Sequence, residues 1–459
     1  MKEKAKTKKM DMLHGPIWSK LPRYAIPVAA TGILEQLFNA TDIAVVGNFT
    51  GKNSTVSVAA VGANSPIIGL ILNLFIGIAL GANVVIANTV GRNDKKTIHK
   101  AVQTSIMMAL IGGILVTIIG ELGIAQLLRM LHVPQDVFPY ALSYIRIYLI
   151  GMPAILLYNF ESAIFRSIGD TKVPLEALAI SGVLNVVLNL FFVIVLKMNV
   201  NGVAIATVIA NVVSSILLFI KLLKTDKVIH IEMNNLKIDK ESFKKIIKIG
   251  LPAGIQSAVF AAANIVIQSA INSLGTNVIA ASSAAFNIEI LAYYVLNSFS
   301  QACATFVGQN YGAGYMKRCR KTLILCLVED AIASASAIII VLLVGKSLLA
   351  LFNNNPQVIE IGYTRLIMIF SAYTFSMLYE LMSGYLRGFG ISLVPAILTI
   401  IGVCGVRIVW IYTVFPMKRT FKTIMMAYPI SLSITAVLIF IALLIYRPSH
   451  KLSVDLAEK

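Results

Sequence analysis

About a dozen apolar runs fill this chain of 459 residues. Each is long enough to cross the roughly 30 Å hydrocarbon core of a bilayer as a helix. They fall at roughly 21–46, 57–88, 101–128, 138–165, 173–196, 200–223, 246–272, 277–308, 321–346, 357–386, 391–415 and 422–446. Lipid offers no partner to an exposed backbone amide or carbonyl, so a segment that spans it must be a helix or part of a closed barrel. These runs are continuous rather than alternating, which selects helices. With 58% hydrophobic and 13% charged residues, against about a quarter charged in soluble domains, the chain is not a soluble protein.

The second half of the chain repeats the first. Leu157, Tyr158, Arg166, Gly169, Val173 and Pro174 recur without a gap as Leu378, Tyr379, Arg387, Gly390, Val394 and Pro395. The same offset of 221 residues pairs Gly91 with Gly312, and Ile26-Pro27 resembles Leu251-Pro252 at a slightly longer offset. The expected fold is an all-α membrane protein with twelve transmembrane helices in two pseudo-symmetric six-helix lobes around a central cavity. Secondary transporters are often built from such repeats. The longest polar stretch, 224–245, separates six runs from six. It divides the chain into an N-terminal lobe at 1–223, a cytoplasmic linker at 224–245 and a C-terminal lobe at 246–459.

Charge placement sets the orientation. With the N-terminus inside, 29 of the 39 basic residues fall on cytoplasmic segments and seven on outer ones. That split fits twelve spans with both termini cytoplasmic. It also accounts for the +18 net charge without any basic folded domain, so nucleic acid is not an expected partner. The N-terminal lysine run is not followed by a short apolar region and a cleavage site, so no removable signal peptide is expected. Cys303, Cys319, Cys326 and Cys404 show no paired spacing, and all five histidines lie outside the runs or at their edges. Neither a disulfide nor a metal site is expected. HExxH, GxSxG and Walker A motifs are absent, which argues against a membrane-embedded hydrolase and against ATP as the direct energy source.

Ionisable and amide side chains at membrane depth are costly, so each is a functional candidate. Asp42 lies late in the first run, after Pro27, whose missing backbone donor favours a kink. Asn185 and Asn189 share one helix face four residues apart, as do Thr207 and Asn211 in the next run. This cluster offers oxygens for a desolvated Na⁺, or partners for a carboxyl that carries a proton; amides that merely join helices are the plainer alternative. In the second half, Gln256, Asn264, Gln268 and Asn272 form one stripe, and Glu289, Tyr293, Asn297 and Gln301 another. Together they suggest two helices lining a water-filled cavity. Glu289 and Glu380 are the second-lobe acids of interest. Glu329 and Asp330, beside a basic loop, read as a snorkelling interfacial pair. Arg407 needs a partner, and Glu380 is one guess.

Several of these segments, taken in order, resemble the multidrug and toxic compound extrusion family over nearly the whole chain. They are Pro27 with LFNATDIAVVGNF at 37–49, FRSIGDTKVP at 165–174, LNVVLNLFF at 184–192, GLPAGIQ at 250–256 and FVGQNYGAG at 306–314. The resemblance implies efflux of organic, often cationic, compounds driven by Na⁺ or H⁺, from the inner cell membrane. No further cofactor is expected and, because the internal duplication lets a monomer suffice, no obligatory protein partner beyond contact with lipid. Asp42 aligns with the family's first-helix aspartate, Asn185 with its fifth-helix Asn and Thr207 with its sixth-helix hydroxyl. Many members carry a second acid where this chain has Asn189, leaving one carboxylate here. Some members also carry an acid where this chain has Phe260, a role open to Glu289 and Glu380. The rival reading is a flippase for a lipid-linked precursor. It needs a cationic groove within the membrane, for which Arg146, Arg365 and Arg407 are candidates scattered along the sequence.

Overall fold

The computed structural model describes residues 10–232 and 236–449. The lysines at 2, 4, 6, 8, 9, 451 and 459, together with His450 and residues 233–235 of the linker, lie outside the described residues. Within them the regular structure is helical throughout. The first half contains α1 (Leu21–Phe49), α2 (Ser54–Gly91), α3 (Lys95–Met130), α4 (Phe138–Ile150), α5 (Met152–Ser167), α6 (Lys172–Leu190) and α7 (Asn199–Lys224). The second contains α8 (Lys240–Asn272), α9 (Thr276–Gly312), α10 (Met316–Ala350), α11 (Pro356–Ser371), α12 (Tyr373–Gly388), α13 (Leu393–Thr399), α14 (Val406–Thr413) and α15 (Phe421–Tyr446).

The sequence repeat carries into backbone geometry. The α4–α5 pair bends by 51° at Gly151, and the α11–α12 pair by 47° at Ala372, positions related by the same offset. Each pair is followed by a left-handed glycine, Gly169 at φ 83° and Gly390 at φ 84°. In the first copy, Asp170 N–H reaches Phe165 O (3.0 Å) and Gly169 N–H reaches Arg166 O (2.9 Å). In the second, Ile391 N–H reaches Leu386 O (3.0 Å) and Gly390 N–H reaches Arg387 O (2.7 Å). These are Schellman closures, which satisfy terminal carbonyls and require a residue that tolerates positive φ. That requirement explains why a glycine recurs at this register.

Nine helices are long and apolar enough to cross a membrane among the described residues, or eleven when each bent pair counts as one span. The count differs from the twelve expected because α1 is not among them. It has 29 residues, but Glu35, Gln36, Asn39 and Asp42 dilute its apolar character. Contacts divide the chain into two compact units. Of the described residues, one comprises 10–11 with 30–232 and 236–247, the other 12–29 with 248–449. The start of α1 therefore belongs to the second unit, where the Tyr24 and Thr305 hydroxyls are hydrogen-bonded at 2.8 Å. The chain changes unit between Ala29 and Ala30, just past Pro27.

The linker is pinned at its end. Asp239 caps α8 by accepting from Ser242 N–H (3.0 Å), and its other carboxylate oxygen meets Lys100 Nζ of α3 (3.0 Å). Its backbone N–H donates to Thr104 Oγ1 at 2.9 Å. The Ser242 amide, first among these donors, and Lys100 hold the carboxyl down at about 2. A depressed acid stabilises above its unfolded value and loses that contribution as pH falls through the folded one. The cap is therefore expected to hold at full strength to about pH 4 and to fail as pH drops through about 2. Asp239→Ala should remove about 1 kcal/mol of capping, read as faster amide exchange in the first turn of α8. Unchanged exchange there would contradict the cap.

Candidate functional site

Within the first unit, α1, α6 and α7 bring four predicted residues together. Gly182 lets α1 lie close against α6: a Cβ there would sit 1.7 Å from the Phe38 ring. Small residues permit such approach between membrane helices. Seven residues further along α6, Asn189 Nδ2 donates to Asp42 Oδ1 at 2.5 Å. Thr207 Oγ1 of α7 donates to Asp42 Oδ2 at 2.9 Å. Asn189 Nδ2 also reaches Asn185 Oδ1 (3.1 Å), and Asn185 Nδ2 reaches Thr207 Oγ1 (3.3 Å). The four side chains form a closed ring around one carboxylate.

The ring is dry. Asp42 is 5% exposed, Asn185 4% and Asn189 fully buried. An apolar cluster includes Val45 and Val46 of α1, Tyr144 and Tyr148 of α4, and Val203 and Ala204 of α7. Every partner that meets Asp42 is a neutral donor, and no cation pairs with it among the described residues. A carboxylate offers about four acceptor positions, and Asn189 and Thr207 each take one. Asn189 Oδ1 is buried without a hydrogen-bond partner. The site thus holds one compensable charge and a spare carbonyl oxygen, which suits a transient monovalent cation or a proton. Asn211 is not part of it, since its amide donates to Thr207 O of its own helix.

A π-helical turn, Phe191–Val195, begins two residues after Asn189. Another, Ile400–Gly405, ends two residues before Arg407 in the second unit. Such turns recur at functional positions because they shift the face a helix presents.

The second unit arranges its polar residues differently from the two expected stripes. Along α9, Asn297 Nδ2 lies 3.4 Å from Tyr293 Oη, and Gln301 Nε2 lies 2.7 Å from Asn297 Oδ1, forming a ladder on one face. On α8 the stripe divides. Gln256 is buried and receives Arg387 Nη2 at 3.5 Å, and Asn264 is half-buried. Gln268 and Asn272 are exposed and bonded to each other. Glu289 is held by Arg365, whose Nε and Nη2 both reach Oε2, at 3.1 and 3.0 Å. Glu380 is buried in α12, with Arg387 as the cation acting on it.

Two other expectations are corrected. Glu329 and Asp330 do not snorkel. They are 5% and 0% exposed, with Asp330 Oδ1 accepting from Ser334 Oγ at 2.8 Å. They face the interior of their own unit, an azimuth that depth in the sequence does not determine. Arg407 does not pair with Glu380. It donates to Ser431 Oγ (3.0 Å) and lies 4.2 Å from the Tyr428 ring.

Glu35 and Glu161 are two further acids that lie within apolar runs. Glu161 of α5 is fully buried and accepts from Ser215 Oγ at 3.3 Å. An acid inside an apolar run was the available signal.

The MatE family model matches residues 27–191 and 252–413, most of the chain and both copies of its repeat. The chain belongs to the MatE family. Across 432 residues it is 23% identical to the probable multidrug resistance protein YoeA of Bacillus subtilis, covering 92% of this chain and 93% of that one. Its fold is similar to a structure described as the outward-facing conformation of a multidrug resistance MATE family transporter of the MOP superfamily. That match has a TM-score of 0.88 at 22% identity, covering 99% of each chain. It is also similar to a MOP superfamily transporter from Pyrococcus furiosus, described as having a binding pocket of reverse polarity that suggests a different function. The TM-score is 0.87 at 24% identity, covering 95% of this chain and 97% of that one. As a MatE protein the chain is a multi-span membrane transporter rather than an enzyme.

Proposed function

We propose that this MatE protein is a twelve-span antiporter of the inner cell membrane, with both termini cytoplasmic and α1 as the twelfth span. It exports organic compounds, many of them cationic, in exchange for Na⁺ or H⁺. The observation that carries this reading is the buried carboxylate of Asp42, ringed by neutral donors from Asn189 and Thr207. A buried carboxylate with no basic side chain paired to it among the described residues changes its local charge when an ion or proton arrives, and that change can bias two conformations. The helix that carries it begins in the other unit, with Pro27 just before the change of unit. Pro27 leaves Arg23 O without its helical donor, so bending there costs less than elsewhere in α1. We assign Asp42, Asn185, Asn189 and Thr207 to ion coupling and Pro27 to the hinge. Gln256, Asn264, Tyr293, Asn297 and Glu380 are assigned to the substrate side. Coupling then requires ion and substrate to favour opposite states.

The test is movement of a fluorescent lipophilic cation in proteoliposomes, with a Na⁺ gradient or a pH gradient imposed separately. Efflux driven by one gradient is the expected result and identifies the ion. Absence of gradient-dependent movement under both, in protein shown to be folded, would overturn the reading.

A further inference from the structure

Among its described residues, the second unit holds a buried cation with no acid paired to it. Arg365 of α11 and Arg407 of α14 lie far apart in sequence, yet both flank the ring of Tyr428 on α15, with guanidinium carbons 5.8 and 4.2 Å from its centroid. The residues that looked scattered are thus partly gathered, whereas Arg146 pairs with Glu121 in the first unit. Arg365 is satisfied by Glu289 and by Ser282 Oγ at 2.7 Å. Arg407 is not. It is 2% exposed, its Nε donates to Ser431 Oγ, and no carboxylate lies within 4.0 Å of it among the described residues. Its two Nη groups make no hydrogen bond among the described residues.

A buried charge in a protein is normally paired or hydrogen-bonded throughout. The neighbours that meet Arg407 are one hydroxyl and two rings, Tyr428 and Phe260, the latter with its centroid 5.3 Å away. The fold invests in this placement. The π turn at Ile400–Gly405 precedes Arg407, and Gly402 lies so close to α15 that a Cβ would come within 2.3 Å of Thr435 Oγ1. That approach brings Arg407 to Ser431. The surroundings beyond are largely apolar, with Phe260 packed against a buried cluster that includes Met382, Val403 and Leu432.

Resting on the transport reading above, we infer that Arg407 is the anion-binding subsite of the second unit, taking the carboxylate of an aromatic organic substrate. A free guanidinium edge receives a carboxylate through two parallel N–H groups. The Phe260 and Tyr428 rings supply an apolar surface for the body of such a molecule. Bulky, strongly hydrated inorganic anions lack that second contact. The subsite therefore adds organic acids and zwitterions to the organic cations of the transport reading.

The chain supplies its own reporter. Trp410 is three residues from Arg407 and held by its Nε1 donating to Thr423 O at 2.8 Å. Trp18, the other of the two tryptophans, is exposed. The full chain carrying Trp18→Phe is placed in lipid nanodiscs and titrated with pyrenebutyrate or the uncharged pyrenebutanol. Energy transfer from Trp410 is read after subtracting empty discs. A hydrogen-bonded charge pair predicts a preference of about tenfold or more for the acid. Arg407→Gln should reduce the preference to within about twofold while leaving pyrenebutanol binding intact, and Arg407→Lys should fall between because it loses the planar fork. Equal binding of the two probes by the unaltered site overturns the inference, even if the variants do not fold. So does a preference that survives in folded Arg407→Gln, where Arg407 would be a packing residue only. No gradient is imposed, so failure here leaves the antiport reading standing, and failure of antiport leaves this binding result standing.

Discussion

Asp42→Asn is expected to reduce gradient-driven export by at least tenfold, to the level of liposomes without protein, while the protein remains folded. The substitution is nearly isosteric, so the ring with Asn185, Asn189 and Thr207 can persist through amide hydrogen bonds. What disappears is the one charge that an incoming ion neutralises. A conformational equilibrium shifts only as far as its ligand distinguishes the two states, and an amide distinguishes them poorly because it neither takes a proton nor compensates a cation. Binding of substrate in the absence of a gradient should change little, which separates lost coupling from a damaged site. Asn189→Asp supplies the complementary test. It places a second carboxyl beside Asp42, 2.5 Å away in the present geometry. Two such groups do not both ionise without a shared cation or proton, so this variant should show a stronger dependence on the coupling ion. Full gradient-driven export by Asp42→Asn would remove Asp42 from the mechanism and direct attention to Glu380 and the buried Asp330.

The first-unit site was legible in sequence because polar residues are so few in these runs. Asp42, Asn185, Asn189 and Thr207 stood out by chemistry, and the four-residue step between the asparagines placed them on one face. The structure adds the partners: which oxygen accepts from which amide, and that Asn211 turns back to its own helix. The second unit was less legible for a physical reason. Sequence gives depth along a helix, but the direction a side chain faces depends on helix rotation, and a π turn changes that rotation by inserting a residue into the turn. The turn before Arg407 has no marker in hydrophobic periodicity. Glu329 and Asp330 looked interfacial by position, yet they face inward. The bends at Gly151 and Ala372, like the left-handed Gly169 and Gly390, were legible only as recurring letters. Their geometry explains why those letters recur.

Arg365→Met is expected to cause the largest loss of stability of any single change in the second unit. Arg365 is 4% exposed and ties α11 to α9 through Glu289 and Ser282. Its guanidinium also faces the Phe286 and Tyr428 rings, each at 5.8 Å. Removing one partner of a buried pair costs about 3–5 kcal/mol because the other charge is left uncompensated. Glu289→Gln should be costly for the opposite reason. It would leave two guanidinium groups beside Tyr428 with no nearby acid, since Arg407 already lacks one. The double variant Arg365→Met with Glu289→Gln removes both charges and should recover most of the loss, because a pair of similar volume without charge is often no less stable than the ion pair. The measurement is a double-mutant cycle on thermal unfolding in a fixed lipid or detergent, where contacting residues show interaction energies of about 0.5–3 kcal/mol. Additive losses would mean that the pair does not act as a unit and that each side chain is held by its other neighbours. A recovered double variant that still shows the pyrenebutyrate preference would further assign that preference to Arg407, because the other guanidinium found over Tyr428 among the described residues would be gone.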